Sequence, residues 1–204
     1  IEFSLKEQIF YNYNLNIKDD DHFEDIAFDQ NNIIYISTKK GDIFKFNIDD
    51  KSNTLIFESN NEVLSYNDRV TKIEYFKNKF IFSTKNGWIY IFDDNNNILE
   101  YQNRILAHNS EIVTLFFDYE LNKLISGANN GTISINEINS LTYNNKPSII
   151  IDLGANNIIT DIDGYKINGN EYILTVDNKG NLSYWNMSLE DKFDYIKEIT
   201  ENQN

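Results

Sequence analysis

The chain has no cysteine in 204 residues. Disulfides, thiol nucleophiles and thiolate metal sites are therefore excluded. Proline occurs once and histidine twice. With one proline and no long helical period, an alternating α/β plan is disfavoured. No apolar run approaches the roughly 20 residues needed to span a bilayer as a helix. Basic residues are also scarce, 18 against 32 acidic ones, for a formal net charge of −14. Such a surface repels nucleic acid and anionic membrane and favours basic partners where charge decides, although net charge also serves solubility alone. No glycine-rich phosphate loop or dinucleotide fingerprint is present. The opening IEFSLKEQ lacks a starting Met and a signal-peptide pattern, so the expectation is a stretch of a longer polypeptide in the cytoplasm or nucleus.

What the chain does have is apolar and aromatic surface: 41% of residues are hydrophobic and 14% aromatic, enough to fill a sizeable core. Asparagine, isoleucine, lysine, tyrosine and phenylalanine are all abundant, as AT-rich coding would produce. On that background the sequons at Asn130, Asn181 and Asn186 are expected by chance.

Four stretches align on a turn glycine: STKKGDIFKFNI, STKNGWIYIFDD, GANNGTISINEI and VDNKGNLSYWNM. The glycines are Gly41, Gly87, Gly131 and Gly180, so successive copies stand 46, 44 and 49 residues apart. Each follows a short apolar strand and precedes one that alternates with period two. Two strands joined this tightly form a β-hairpin, because the turn needs a positive φ. Upstream of each hairpin lies another strand: Phe23, Ile26 and Phe28; Val70, Ile73 and Tyr75; Ile112, Leu115 and Phe117; then Ile159 and Ile162, with Gly164 where an aromatic is expected. A further strand follows most hairpins, over 54–58, 98–101 and 148–153. Four strands in about 45 residues is the size of a propeller blade. The predicted fold is thus all-β, a β-propeller of four-stranded antiparallel blades at 17–58, 66–102, 107–153 and 155–199. Residues 1–16 are expected to supply a strand of a preceding or closing blade, and the tail FDYIKEITE fits a strand or a helix.

The third copy, AHNSEIVTLFFDYELNKLISGANNGTISINEI, resembles the WD-repeat family. Members open with a small residue and His, carry a hydroxyl residue on the second strand, place Asp in the hairpin turn and end in Trp-Asp. Here His108 and Ser126 match, Asn129 and Asn130 stand at the turn, and Asn136-Glu137 replace Trp-Asp. The other copies end in Phe46-Asn47, Phe92-Asp93 and Trp185-Asn186, and are degenerate. The resemblance implies a larger, commonly seven-bladed ring, of which four blades are present here. The remainder would come from a longer chain, as we expect, or from a partner's donated blade, or the four would close alone. It also implies that His108 hydrogen-bonds Ser126 as a structural pair, and that the hairpin tips share a top rim with the loops leading into each blade.

That rim would hold the partner-binding candidates Trp88, Lys85, Arg69, Lys39, Lys40, Glu111 and Lys179. Trp88 follows its turn glycine directly, which suits either a contact hot spot or packing between blades. The opposite rim reads as acidic, with Asp49, Asp50, Asp93, Asp94, Glu190 and Asp191 as solvated loop acids. His22, in KDDDHFED, is expected to be exposed. Asp161, Asp163, Asn168 and Asn170 resemble half of a calcium loop, but an inner strand with an Asn168-Gly169 turn explains them equally well. No catalytic residue, cofactor or metal ligand is assigned. The expected role is a non-catalytic scaffold docking other proteins, with basic or extended segments among them, in a hetero-oligomeric complex. A calcium- or small-ligand-binding propeller and a purely architectural subunit are the alternatives.

Overall fold

The computed structural model describes residues 15, 17, 19–29, 31–58, 64, 68–95, 98–118, 122–137, 149–187 and 195–199. The strand expected over 1–16 lies outside them apart from Leu15, as do Glu190 and Asp191. Among the described residues sixteen strands fall into four antiparallel sheets, and no helix is present. Among the described residues, then, no helix is long and apolar enough to cross a membrane, which says nothing of strands.

Sheet 1 comprises β1 (Phe23–Phe28), β2 (Ile33–Thr38), β3 (Ile43–Asn47) and β4 (Asn53–Phe57). Sheet 2 comprises β5 (Val70–Phe76), β6 (Lys79–Thr84), β7 (Trp88–Asn95) and β8 (Ile98–Leu106). Sheet 3 comprises β9 (Ile112–Asp118), β10 (Lys123–Ala128), β11 (Thr132–Glu137) and β12 (Ile149–Asp152), and sheet 4 comprises β13 (Ile159–Ile167), β14 (Asn170–Asp177), β15 (Leu182–Asn186) and β16 (Tyr195–Ile199). Within each sheet the strands neighbour one another in chain order. β8 runs to Leu106, beyond the 98–101 stretch predicted from its apolar residues, because it pairs with β7 along its whole length, from Asn95↔Ile98 to Trp88↔Leu106. The tail over 195–199 is a strand, paired to β15.

The sheets stand in a row. First strands pack side by side in the order β1, β5, β9, β13, and among the described residues the row does not seal into a ring. Each seam between sheets holds its own apolar cluster. Tyr35, Ile43 and Phe57 of sheet 1 meet Ile73, Phe80 and Phe82 of sheet 2. Ile81, Ile91 and Ile105 of sheet 2 meet Leu115, Phe117 and Leu124 of sheet 3, and Ile125, Ile133 and Ile135 meet Ile162, Ile173 and Trp185 of sheet 4. A sheet covered on both faces buries consecutive residues, which is why Phe80–Thr84 is buried throughout and why KFIFST does not alternate. Core formation is thus local to neighbouring units, as in other repeat architectures.

One device recurs that composition does not announce. All four first strands carry a bulge at the same point, after Phe23, Val70, Ile112 and Ile159, where Glu24, Thr71, Val113 and Thr160 are the extra residues. The bulge bends the strand and re-aims the residues behind it. Those next residues, Asp25, Lys72, Thr114 and Asp161, line one cleft between the four first strands.

The acidic reading of the opposite rim needs correcting. Asp93 and Asp94 are strand residues of β7, and Asp94 is only 8% exposed. It receives hydrogen bonds from Tyr35 Oη at 2.6 Å and Lys45 Nζ at 3.0 Å, while Asp93 pairs with Lys79 at 2.7 Å. Asp94 lies in the first seam, beside the stacked rings of Tyr35 and Tyr75, whose centroids are 4.5 Å apart. Burial, and then the carboxylate beside it, push the Tyr35 hydroxyl far above its ordinary range, so it stays a donor.

Candidate functional site

The four hairpin tips are built alike. Each turn glycine has positive φ: 98° at Gly41, 84° at Gly87, 79° at Gly131 and 80° at Gly180. Each donates its N–H to the last residue of the preceding strand, Thr38, Thr84, Ala128 or Asp177. A second bond ties each tip to the start of its own sheet: Lys39 to His22, Lys85 to Arg69, Asn129 to Glu111 and Asn178 to Ile158. Side chains at equivalent positions of adjacent sheets also touch, Asp25 with Lys72 and Thr114 with Asp161. The tips and the loops leading into the sheets therefore gather along one rim.

Two aspartates stabilise this rim. Asp21 Oδ1 accepts from the N–H of His22 at 2.9 Å and of Lys40 at 3.0 Å. Asp68 Oδ1 accepts from the N–H of Arg69 and of Asn86, each at 3.0 Å. Both stand two residues before the first strand of their sheet. Aligning the copies on those strands, not on the glycines, is the signal that finds them.

The rim lysines Lys39, Lys40, Lys85 and Lys179 are exposed. Lys40 Nζ reaches the backbone oxygen of Asp19 at 2.8 Å and Lys179 Nζ reaches Asn157 Oδ1 at 2.8 Å. Arg69 and Glu111 bond each other across the second seam, Nη2 to Oε1 at 2.8 Å. Trp88 opens β7, half-buried, with its ring against the apolar cluster of the first seam and the Arg104 guanidinium 4.5 Å from its centroid. Arg104 is a partner that sequence spacing does not suggest, since the register Tyr90↔Arg104 brings it there. Lys85 and Trp88 thus share a hairpin, while Arg69 and Glu111 engage each other at the base of the rim. His22 is exposed and offers its backbone oxygen to Lys39.

His108 is 4% exposed. Its Nε2 lies 2.8 Å from Ser126 Oγ and its Nδ1 lies 2.6 Å from Thr132 Oγ1, which also bonds Asn130 Oδ1 at 2.7 Å. The ring links the loop before β9 to both strands of the third hairpin. Burial lowers its pKa to about 4, so it is neutral near pH 7 and one nitrogen donates while the other accepts. Both nitrogens are spent on hydroxyls in a closed spot, which suits fastening and leaves neither for acid–base work.

Asp161 and Asp163 stand on strand β13, and Asn168-Gly169 is the turn that ends it. Asp161 accepts from Thr114 Oγ1 at 3.3 Å and Ile162 N–H at 2.9 Å. Among the described residues no group of three or more His, Cys, Asp or Glu is arranged to hold a metal ion. The cleft between the first strands has a volume of about 410 Å³, and its charged walls are Asp25, Lys72, Glu74 and Asp161.

No family model matches the chain, and no curated protein matches it. Among solved structures the fold is similar to the computationally designed Ika4 protein, at a TM-score of 0.62 and 19% identity over 81% of this chain and 91% of that one. It is also similar to the computationally designed Ika8 protein, at a TM-score of 0.61 and 20% identity, covering 80% of this chain and 45% of that one. At these identities the likeness is one of fold.

Proposed function

We propose that the four sheets are propeller blades of WD-repeat type and that the chain is a non-catalytic platform on which other proteins dock, as a subunit of a hetero-oligomeric complex in the cytoplasm or nucleus. The observation that carries this reading is the repeated rim. Four hairpin tips, held by the same pair of backbone hydrogen bonds, present Lys39, Lys40, Lys85 and Lys179 together on a chain of net charge −14. Long-range attraction favours basic partners, while the local lysines favour carboxylates, so the fitting partner is a segment carrying both signs. Such a rim suits an extended peptide lying across several tips. Further blades beyond these four would complete the ring.

The test is affinity capture on the whole chain against a quadruple variant, Lys39→Glu, Lys40→Glu, Lys85→Glu and Lys179→Glu, with melting temperatures compared. A protein held by the wild type, rebinding when purified, and lost with a variant of unchanged melting supports a docking rim. Equal capture by both, or no specific protein from a folded chain, overturns it.

A further inference from the structure

The chain has two arginines among 32 acidic residues, and only one of the two is neutralised by a described residue. Arg69 is paired with Glu111, Nη2 to Oε1 at 2.8 Å. Among the described residues Arg104 forms no ion pair. Its guanidinium lies instead over the Trp88 ring, 4.5 Å from the centroid, at the rim end of β7 and β8.

Strand register explains this isolation. Arg104 stands directly across from Tyr90, and Leu106, two residues further along β8, stands across from Trp88. Paired residues and alternate residues share a face, so all four side chains lie on one side of sheet 2, and none of them carries a negative charge. The Tyr90 hydroxyl is buried without a hydrogen-bond partner, and Arg104 is the charge that bears on it most. A buried hydroxyl with no acceptor is costly, and so is a cation with no counter-ion in a half-buried place. Two donors thus stand side by side, and the described residues bring an acceptor to neither. Arg104 and Trp88 are half-buried and Leu106 is 38% exposed, so the spot is open to a partner.

We propose that Arg104, braced by Trp88, is the seat for a carboxylate on an extended partner segment, with an apolar residue of that segment against Leu106. This rests on the docking rim proposed above and names what the rim reads. Rim lysines are point charges on flexible stems and attract any anion, whereas a stacked guanidinium is planar and matches a planar carboxylate through two parallel hydrogen bonds. A net charge of −14 disfavours a more highly charged phosphate at the same place.

The experiment is NMR on the whole chain, titrated at constant ionic strength with the peptide Ac-Glu-Ala-Leu-NH2 and its neutral counterpart Ac-Gln-Ala-Leu-NH2. With two arginines and two tryptophans in the chain, the Arg104 Nε–H and Trp88 Nε1–H signals can be followed singly. The acidic peptide should move both saturably and the neutral one neither. Arg104→Gln should abolish binding, and Arg104→Lys should weaken it about tenfold, because the charge survives and the planar fork does not. The comparison of the two peptides on the wild type stands even where a variant fails to fold. The two readings fail separately: docking at the rim fails if protein capture survives the four lysine changes, and the Arg104 seat fails if its signals ignore the acidic peptide. Equal response to both peptides, or equal affinity in wild type and Arg104→Lys, also overturns the proposal.

Discussion

The Phe116 ring of β9 occupies the place where a side chain at residue 164 of β13 would go: a Cβ added to Gly164 would lie 2.7 Å from Phe116 Cε1. Phe28, Tyr75 and Phe117 hold the matching place on the other first strands. At the third seam the neighbouring sheet supplies the ring instead. Gly164→Ala should cost about 1–2 kcal/mol through overpacking, and Phe116→Ala about 2–3 kcal/mol through the void left behind. Combining Gly164→Phe with Phe116→Ala should cost less than the two changes summed. Urea denaturation of the four proteins measures the coupling, and strict additivity would sink the idea of an exchanged ring.

The turn glycines should not be equally replaceable. At Gly87 a Cβ would lie against the backbone oxygen of His108, whereas at Gly180 no described residue lies within 4 Å. Both positions have positive φ, so Gly180→Ala should cost about 1 kcal/mol for conformation alone. Gly87→Ala adds a clash with backbone that cannot swing aside, and a loss of about 3 kcal/mol or more is expected. Equal melting of the two variants would show that the loop before β9 yields freely.

Asp94 holds Tyr35 and Lys45 in the first seam, and its removal should be expensive. Asp94→Asn leaves the Lys45 charge, itself mostly buried, without its counter-ion. A destabilisation of about 3 kcal/mol is expected for that change, and less for the double variant with Lys45→Met, which removes both charges. Chemical denaturation of both variants separates the ion pair from the tyrosine hydrogen bond.

Buried His108 and half-buried Glu74 should bend the pH dependence of stability in opposite directions. His108 is lowered from 6.5 to about 4, so the unfolded chain takes its proton first, and stability falls as pH drops from 6.5 towards 4. Glu74 is raised from 4.5 to about 7, so the folded chain holds its proton longer, and stability falls as pH rises from 4.5 towards 7. In the wild type the two slopes oppose each other across most of that window. Glu74→Gln should expose the histidine slope, about 3 kcal/mol at its full extent. His108→Asn should expose the opposite one. Denaturation midpoints at half-unit steps between pH 4.5 and 8 read both, and parallel curves for wild type and Glu74→Gln would contradict the assignment.

The strands and tight turns were legible from local chemistry alone. Period-two and apolar runs mark strands, and a glycine between two of them marks a turn whose φ other residues resist, so four copies of one hairpin could be read directly. His108 and Ser126 were legible through a family likeness. The partners of side chains were not, because they depend on which sheet stands beside which. Asp94 looked like one of several loop acids until Tyr35 and Lys45 arrived from sheet 1. Arg104 meets Trp88, and Arg69 meets Glu111, only through strand register and the seam between sheets. Glu74 is an ordinary strand carboxyl in sequence, and its unusual setting exists because four bulged strands converge on one cleft. Backbone form follows from each residue's own conformational and solvation preferences, whereas burial and charge pairing belong to residues far apart in the chain, and only packing brings those together.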